Sequence, residues 1–135
     1  MKTNTVKHYM TPAPYTIGVD QPLNVASEVM RGHHVRHLPV LRGGRLAGIL
    51  SQRDVALICS LPKVDPADVQ VEDAMSEELY TVSPETPLEE VAATMAAHKY
   101  GAAVIVDGHE RLLGVFTTVD ALLALADGAP AMMRR

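Results

Sequence analysis

The sequence has no tryptophan, a single phenylalanine and a single cysteine in 135 residues. One thiol, Cys59, excludes an intrachain disulfide framework. With aromatics at 4% and hydrophobic residues at 47%, an interior must be built from aliphatic side chains. No uninterrupted apolar run approaches the roughly 20 residues of a membrane-spanning helix, so no membrane partner is expected. Lysine and arginine form no run outside Arg134–Arg135, and the net charge is -4. The basic footprint of a nucleic-acid binder is therefore missing. Residues 1–11 are polar and lack the apolar stretch of a signal peptide, which makes the cytoplasm the expected location. The length suits one compact domain or two very small subdomains sharing a core.

What the chain does contain is a repeat. A shift of 65 residues places Val6 on Val71, Met10 on Met75, Tyr15 on Tyr80, Leu23 on Leu88, Met30 on Met95 and His33 on His98. Beyond Gly43 and Gly108 the shift becomes 66, matching Gly48 to Gly114 and Asp54 to Asp120. The extra residue falls near His109–Glu110, next to the turn signal Asp107-Gly108. Two copies suggest a pseudo-twofold pair in which each half buries the apolar face of the other.

Each copy reads β-α-β-β-α, an α/β (α+β) arrangement. Residues 15–19 and 80–82 read as strands by apolar alternation. In the second copy Thr86 is the expected N-cap, with Pro87 at the first helical position and Glu89 completing a capping box. Leu88, Val91, Ala92, Met95 and His98 then share a helical face, as do Leu23, Ala26, Met30 and His33 in the first copy. Strands are expected at 38–41, 46–50, 103–106 and 112–116, and closing helices at about 52–61 and 118–127. Gly128-Ala129-Pro130 is expected to end the last helix. The expected divisions are 1–61, a proline-punctuated linker at 62–72, 73–127, and a flexible tail at 128–135.

In the first copy His37-Leu38-Pro39-Val40 leads to Gly43-Gly44 and then to Gly48-Ile49-Leu50-Ser51-Gln52-Arg53-Asp54. The second copy has Val104-Ile105-Val106-Asp107-Gly108 and Gly114-Val115-Phe116-Thr117-Thr118-Val119-Asp120. This succession, met twice at matching offsets over about residues 6–127, resembles the CBS-domain family. The second copy departs from the family pattern by carrying Val104 in place of the proline. The resemblance implies a paired module, two CBS motifs packed about a pseudo-twofold, with two clefts that hold AMP, ADP, ATP, S-adenosylmethionine or related ligands.

Read by their chemistry alone, Ser51-x-x-Asp54 and Thr117-x-x-Asp120 at strand-to-helix junctions are capping boxes. A helix N-terminus also suits a phosphate, and a carboxylate there suits the two hydroxyls of a ribose. The residues leave both readings open. The resemblance implies ribose contacts for Asp54 and Asp120 and phosphate contacts for Ser51 and Thr117. It also turns Arg36 and His37 toward the Asp54 cleft, and Arg53 lies beside Asp54 in the sequence; the second copy has Gly101, Ala102 and Val119 at these places. The clefts are therefore expected to be unequal, with only the first equipped for phosphates. By the same resemblance, residues 75–80 with Tyr100 hold the base for the Asp54 cleft. Residues 10–15, including Tyr15, with Val35 do so for the Asp120 cleft. Ile49 and Val115 form apolar walls. Core packing is the first expectation for Met10, Met75, Tyr15 and Tyr80, and Cys59 is expected to be a buried small hydrophobe.

His33 and His37 are four apart but not on one helix, which argues against a metal site. No catalytic triad is apparent, and Arg42-Gly43-Gly44-Arg45 is not a phosphate-binding loop of the Walker type. No enzyme activity and no required cofactor are expected. The sequence reads as a regulatory, energy-sensing module for adenosine-type ligands, with a structural dimerisation module as the alternative. Surplus aliphatic helix faces point to a homodimer, and a sensor of this kind needs an effector protein in trans.

Overall fold

Both copies of the repeat fold as β-α-β-β-α, each preceded by a short leading segment. The computed structural model describes residues 4–133, with side chains up to Asp127. In chain order the elements are β1 (Thr11–Pro12), β2 (Ile17–Gly18), α1 (Leu23–His33), β3 (His37–Arg42), β4 (Arg45–Ser51) and α2 (Gln52–Cys59). There follow α3 (Val71–Ala74), β5 (Thr81–Val82), α4 (Leu88–His98), β6 (Ala102–Val106), β7 (Leu112–Thr117) and α5 (Thr118–Met133). No helix among the described residues is long and apolar enough to cross a membrane.

Packing divides the chain differently from the repeat. One unit is Pro14–Leu79; the other joins the residues up to Ala13 with those from Tyr80 onward. In the first unit β3 lies between parallel β2 and antiparallel β4. Its core gathers Leu23, Ala26 and Met30 from α1, Leu38, Val40 and Leu50 from the sheet, Val55 from α2 and Val71 from α3. In the second unit the strand order is β1-β7-β6-β5. Val6, Val91, Met95, Ala103, Ile105 and Phe116 form its core. Each unit thus combines the body of one repeat with the leading segment of the other.

The exchanged segments also start the helices. Pro22 and Pro87 occupy the N-caps of α1 and α4 and offer no side-chain cap. Instead Leu23 N–H donates to the Val69 carbonyl at 2.8 Å, and Leu88 N–H donates to the Asn4 carbonyl at 2.9 Å. In return Val71 N–H donates to Gln21 and Val6 N–H to Thr86, each at 2.9 Å. The expected Thr86 cap is therefore corrected: Thr86 lies one position too early, and its hydroxyl meets that of Ser83 at 3.1 Å. Both helices end on a non-glycine residue in the left-handed region, His34 (φ 55°) and Lys99 (φ 60°).

The inserted residue of the second copy is absorbed in a turn. Gly43 and Gly44, at φ 57° and 81°, close β3 onto β4 with two residues, as a tight hairpin requires. The longer turn between β6 and β7 is organised by Asp107, whose carboxylate accepts from the amides of His109 (2.7 Å) and Arg111 (3.0 Å). Those two amides hold its carboxyl below the usual range.

Three further expectations are corrected. Cys59 is exposed, because α2 turns Val55 inward and Ile58 beside it, leaving position 59 on the outer side. Tyr15 is 51% exposed rather than core; it stacks on His33 with ring centroids 3.7 Å apart. The last helix does not stop at Asp127 but runs through Gly128 and Pro130 to Met133. Residues 134 and 135 of the expected tail lie outside the described residues.

Gly48 and Gly114 permit the closest approach of the exchanged segments. A Cβ on Gly48 would lie 2.6 Å from the Ser76 carbonyl oxygen and 2.7 Å from the Met75 sulfur. A Cβ on Gly114 would lie 2.6 Å from the Met10 sulfur and 2.8 Å from the Thr11 carbonyl oxygen. Gly48→Ala is expected to destabilise the fold by about 1–3 kcal/mol through overpacking. Gly32→Ala, near the end of α1 with open space around it, is expected to stabilise by about 0.5–1 kcal/mol. Urea unfolding of both variants checks this; equal and small changes would contradict the close approach at Gly48.

Candidate functional site

The junction between β4 and α2 carries the first candidate site. Ser51 is extended (φ -105°, ψ 159°) and caps α2. Its Oγ accepts from the Asp54 amide at 3.0 Å, and Asp54 Oδ2 accepts from the Ser51 amide at 2.8 Å. The capping box read from the sequence is therefore formed, and it does not exhaust either side chain. A hydroxyl that accepts an N–H still has its own proton to donate. Asp54 Oδ1 has no hydrogen-bond partner among the described residues. The Gln52 amide, next in line, donates to the Arg36 carbonyl at 2.8 Å and locks the start of α2 to the start of β3.

Two further features flank this carboxylate. His37 pairs with Ser51 across the sheet and is half-buried. Burial lowers its pKa below the usual histidine value, the Asp54 charge partly opposes this, and the Arg36 charge adds to the lowering. On the other side of β4, Met75 and Ser76 run alongside. The Ile49 amide donates to the Ser76 carbonyl and the Ser76 amide to the Ile49 carbonyl, both at 2.9 Å. Arg36 and Arg53 are exposed, and neither is in an ion pair among the described residues. Ser51, Asp54, His37 and Ile49 thus come together, with Arg53 on the same turn of helix, while Arg36 and Val35 line an open cavity between α1 and α2.

The equivalent junction in the second unit has the same frame and different contents. The Thr117 amide donates to Asp120 Oδ2 at 2.9 Å, and the Asp120 amide reaches Thr117 Oγ1 at 3.4 Å. Asp120 also accepts from the hydroxyls of Thr117 (3.3 Å) and Thr11 (3.3 and 3.4 Å to its two oxygens). Thr11 reaches it because β1 pairs with β7, Thr11 opposite Val115. Ser76 occupies the matching place in the first unit, but its hydroxyl accepts from the Glu78 amide at 3.2 Å and leaves Asp54 alone. No motif singles out Thr11; it lies within the stretch 10–15 that the resemblance set at the Asp120 cleft, and the 65-residue shift sets a second hydroxyl residue, Ser76, on it.

The aromatic residues expected around a base lie as follows. Tyr80 and Tyr100 belong to the second unit, where their rings stack at 5.4 Å and Tyr100 stacks on His98 at 5.1 Å. Tyr15 and Val35 belong to the first unit. Tyr15–His33 and Tyr80–Tyr100–His98 are repeat-related ladders, with Tyr100 added in the second at the position of Val35.

The lowered pKa of His37 gives a pH dependence. Between its folded pKa and the ordinary 6.5, the unfolded chain binds more protons than the folded one. Stability from this residue is present above 6.5 and is lost as pH falls through the folded value. Denaturation midpoints of the parent are expected to fall on acidification below 6.5, and less steeply for His37→Gln; identical slopes would remove His37 as the cause.

The comparisons with known proteins agree with this architecture. The family model for the CBS domain matches residues 6–60 and again residues 71–127. The CBS domain-containing protein YhcV of Bacillus subtilis is 32% identical over 117 residues, spanning 87% of this chain and 82% of its own. A homoserine O-acetyltransferase of Methanocorpusculum labreanum is 31% identical over 115 residues, which is 84% of this chain but only 23% of that enzyme. Among solved structures, the AcuB protein of Vibrio cholerae superposes with a TM-score of 0.85 at 25% identity, covering 99% of this chain and 98% of that one. The CBS domain pair of protein MJ0100, in complex with 5'-methylthioadenosine and S-adenosyl-L-methionine, superposes with a TM-score of 0.82 at 22% identity, covering 93% and 98%. Matched twice in succession along nearly its whole described length, the chain belongs to the CBS-domain family as a tandem pair.

Proposed function

We propose that this chain is a non-catalytic regulatory module that senses an adenosine-type ligand at the Ser51–Asp54 junction. The observation that carries the reading is the Asp54 oxygen that has no hydrogen-bond partner among the described residues, set at the N-terminus of α2 beside Arg53, which is in no ion pair among them, and a half-buried histidine. A carboxylate in that place accepts from the two vicinal hydroxyls of a ribose. The helix start, the Ser51 hydroxyl and Arg53 suit a 5'-phosphate or another polar substituent. The ligand classes that fit are AMP, ADP, ATP and S-adenosylmethionine; the MJ0100 pair, a fold neighbour, holds the last of these. The Asp120 junction is the weaker site in this reading. Thr11 and Thr117 already hold its carboxylate, and Val119 stands where Arg53 does.

Calorimetric titration with AMP, ATP and S-adenosylmethionine tests the reading. Saturable binding of at least one is expected. Asp54→Ala is expected to cost on the order of 1.5–3 kcal/mol of that affinity, the worth of hydrogen bonds to a charged group. Asp120→Ala is expected to cost less, because a ligand there must first displace Thr11. Equal losses from the two variants would overturn the inequality, and no binding of any adenosine ligand would favour the structural alternative.

The same reading includes a homodimer. Leu57 (65% exposed) on α2, and Leu122, Leu123 and Leu125 (61–64%) on α5, are aliphatic side chains left uncovered within their own units. A second copy of the chain is the simplest cover. Light scattering is expected to give about twice the 14.6 kDa chain mass. Leu122→Glu combined with Leu125→Glu is expected to give a folded monomer; a parent that is already monomeric at tens of micromolar would sink this part.

A further inference from the structure

Residues 9–11 hold the last helix of the second unit at two points. The Thr11 hydroxyl lies 3.3 and 3.4 Å from the two carboxylate oxygens of Asp120, and the Tyr9 hydroxyl donates to Asp127 Oδ2 at 3.1 Å. Asp120 and Asp127 fall two helical turns apart on one face of α5, about 10 Å along its axis. The hydrogen bond to Asp127 raises the Tyr9 pKa above the ordinary 10.0. Of the Asp120 oxygens, Oδ2 also accepts from the Thr117 amide and hydroxyl, whereas Oδ1 has no partner but Thr11 among the described residues. Without Thr11, Asp120 would have a free oxygen as Asp54 does.

The first unit supplies an internal control. By the repeat shifts, Ala74, Ser76 and Leu61 stand where Tyr9, Thr11 and Asp127 do. Alanine and leucine cannot make the second hold, and the Ser76 hydroxyl is taken by the Glu78 amide at 3.2 Å. Ser76 still bridges to Ile49 through the backbone, so the fold needs neither hold. The hold on Asp120 is also easy to break. β1 has two residues, both exposed, at the edge of its sheet. Ala13 follows it at φ 45°, where a Cβ is strained. The Thr11 contacts are long beside the roughly 2.7–2.8 Å of an ordinary O–H···O bond.

We infer that Thr11 is a built-in occupant of the Asp120 carboxylate, and that a vicinal diol entering this junction displaces it and opens the clasp of residues 9–11 on α5. The inference rests on the reading of the two junctions as ribose sites. A diol prevails because it donates two hydrogen bonds to the carboxylate where Thr11 donates one. Once Thr11 has left, only Tyr9 of the two side-chain holds remains on α5, the helix that carries the exposed Leu122, Leu123 and Leu125. Occupancy of the second junction is thereby coupled to the leading segment and to that helix.

Amide-resolved NMR titration of the full chain with adenosine tests this, because the Thr117 and Asp120 amides report one junction and the Ser51 and Asp54 amides the other. Thr11→Val, which keeps the shape and removes the hydroxyl, is expected to tighten binding at Thr117 and Asp120 roughly tenfold, the lower end of what a hydrogen bond to a charged group is worth. Thr11→Ser is expected to bind there like the parent. Tyr9→Phe, which leaves the carboxylate of Asp120 untouched, is expected to tighten binding by a smaller factor. Saturating adenosine is expected to speed hydrogen exchange of the Ala13 amide, which donates to the Leu113 carbonyl at 3.1 Å while β1 is paired. 2'-Deoxyadenosine, which lacks the diol, is expected to leave that exchange unchanged. Equal or weaker binding in Thr11→Val would overturn the inference, the weaker case by making Thr11 a ligand contact. So would the absence of binding at Thr117 and Asp120 in that variant, or Ala13 exchange that ignores the ligand. Silence at Ser51 and Asp54 with a response at Thr117 and Asp120 would overturn the reading of the first junction and support this one.

Discussion

The structure depends on the close passage of each repeat's leading segment along the last strand of the other repeat. Met75-Ser76 lies against Gly48-Ile49, and Met10-Thr11 against Gly114-Val115, closely enough that a single methyl on either glycine would collide with backbone oxygen and sulfur. Much else in each unit follows from that passage. The same segments supply the carbonyls of Asn4 and Val69 that satisfy the first amides of α4 and α1, where proline caps cannot. They also bury Val6 and Val71 completely, one in each core. An unsatisfied helix start and an unfilled core would both result without them, so the exchanged segments are part of the fold rather than linkers.

The passage also places the chemistry. Because Thr11 travels beside β7, its hydroxyl arrives at Asp120; because Ser76 turns back to the Glu78 amide, Asp54 keeps an oxygen free. Two junctions with the same capping frame therefore present different carboxylates. The inequality first visible as Arg36-His37 and Arg53 against Gly101-Ala102 and Val119 has this second source in hydrogen bonding. Arg31 and Arg36, which line the cavity between α1 and α2, likewise stand where the second repeat carries Ala96 and Gly101.

The amino-acid order alone specified the repeat, the β-α-β-β-α order and the strand-to-helix junctions, because these depend on local period, glycine turns and capping chemistry. It determined Ser51 and Asp54 as partners for the same reason, since residues three apart at a helix start meet whatever surrounds them. Long-range packing settled which segment joins which core, and hence that the carbonyl of Asn4, not Thr86, meets the start of α4. It alone decided that Cys59 and Tyr15 face outward, since a short helix buries only the face its neighbours reach and Tyr15 precedes β2 rather than belonging to it. Thr11 is the sharpest case. A hydroxyl 109 residues from Asp120 in the chain has no local signature; the family resemblance set its stretch, 10–15, at the Asp120 cleft, and strand pairing decides that Thr11 is the residue that reaches the carboxylate.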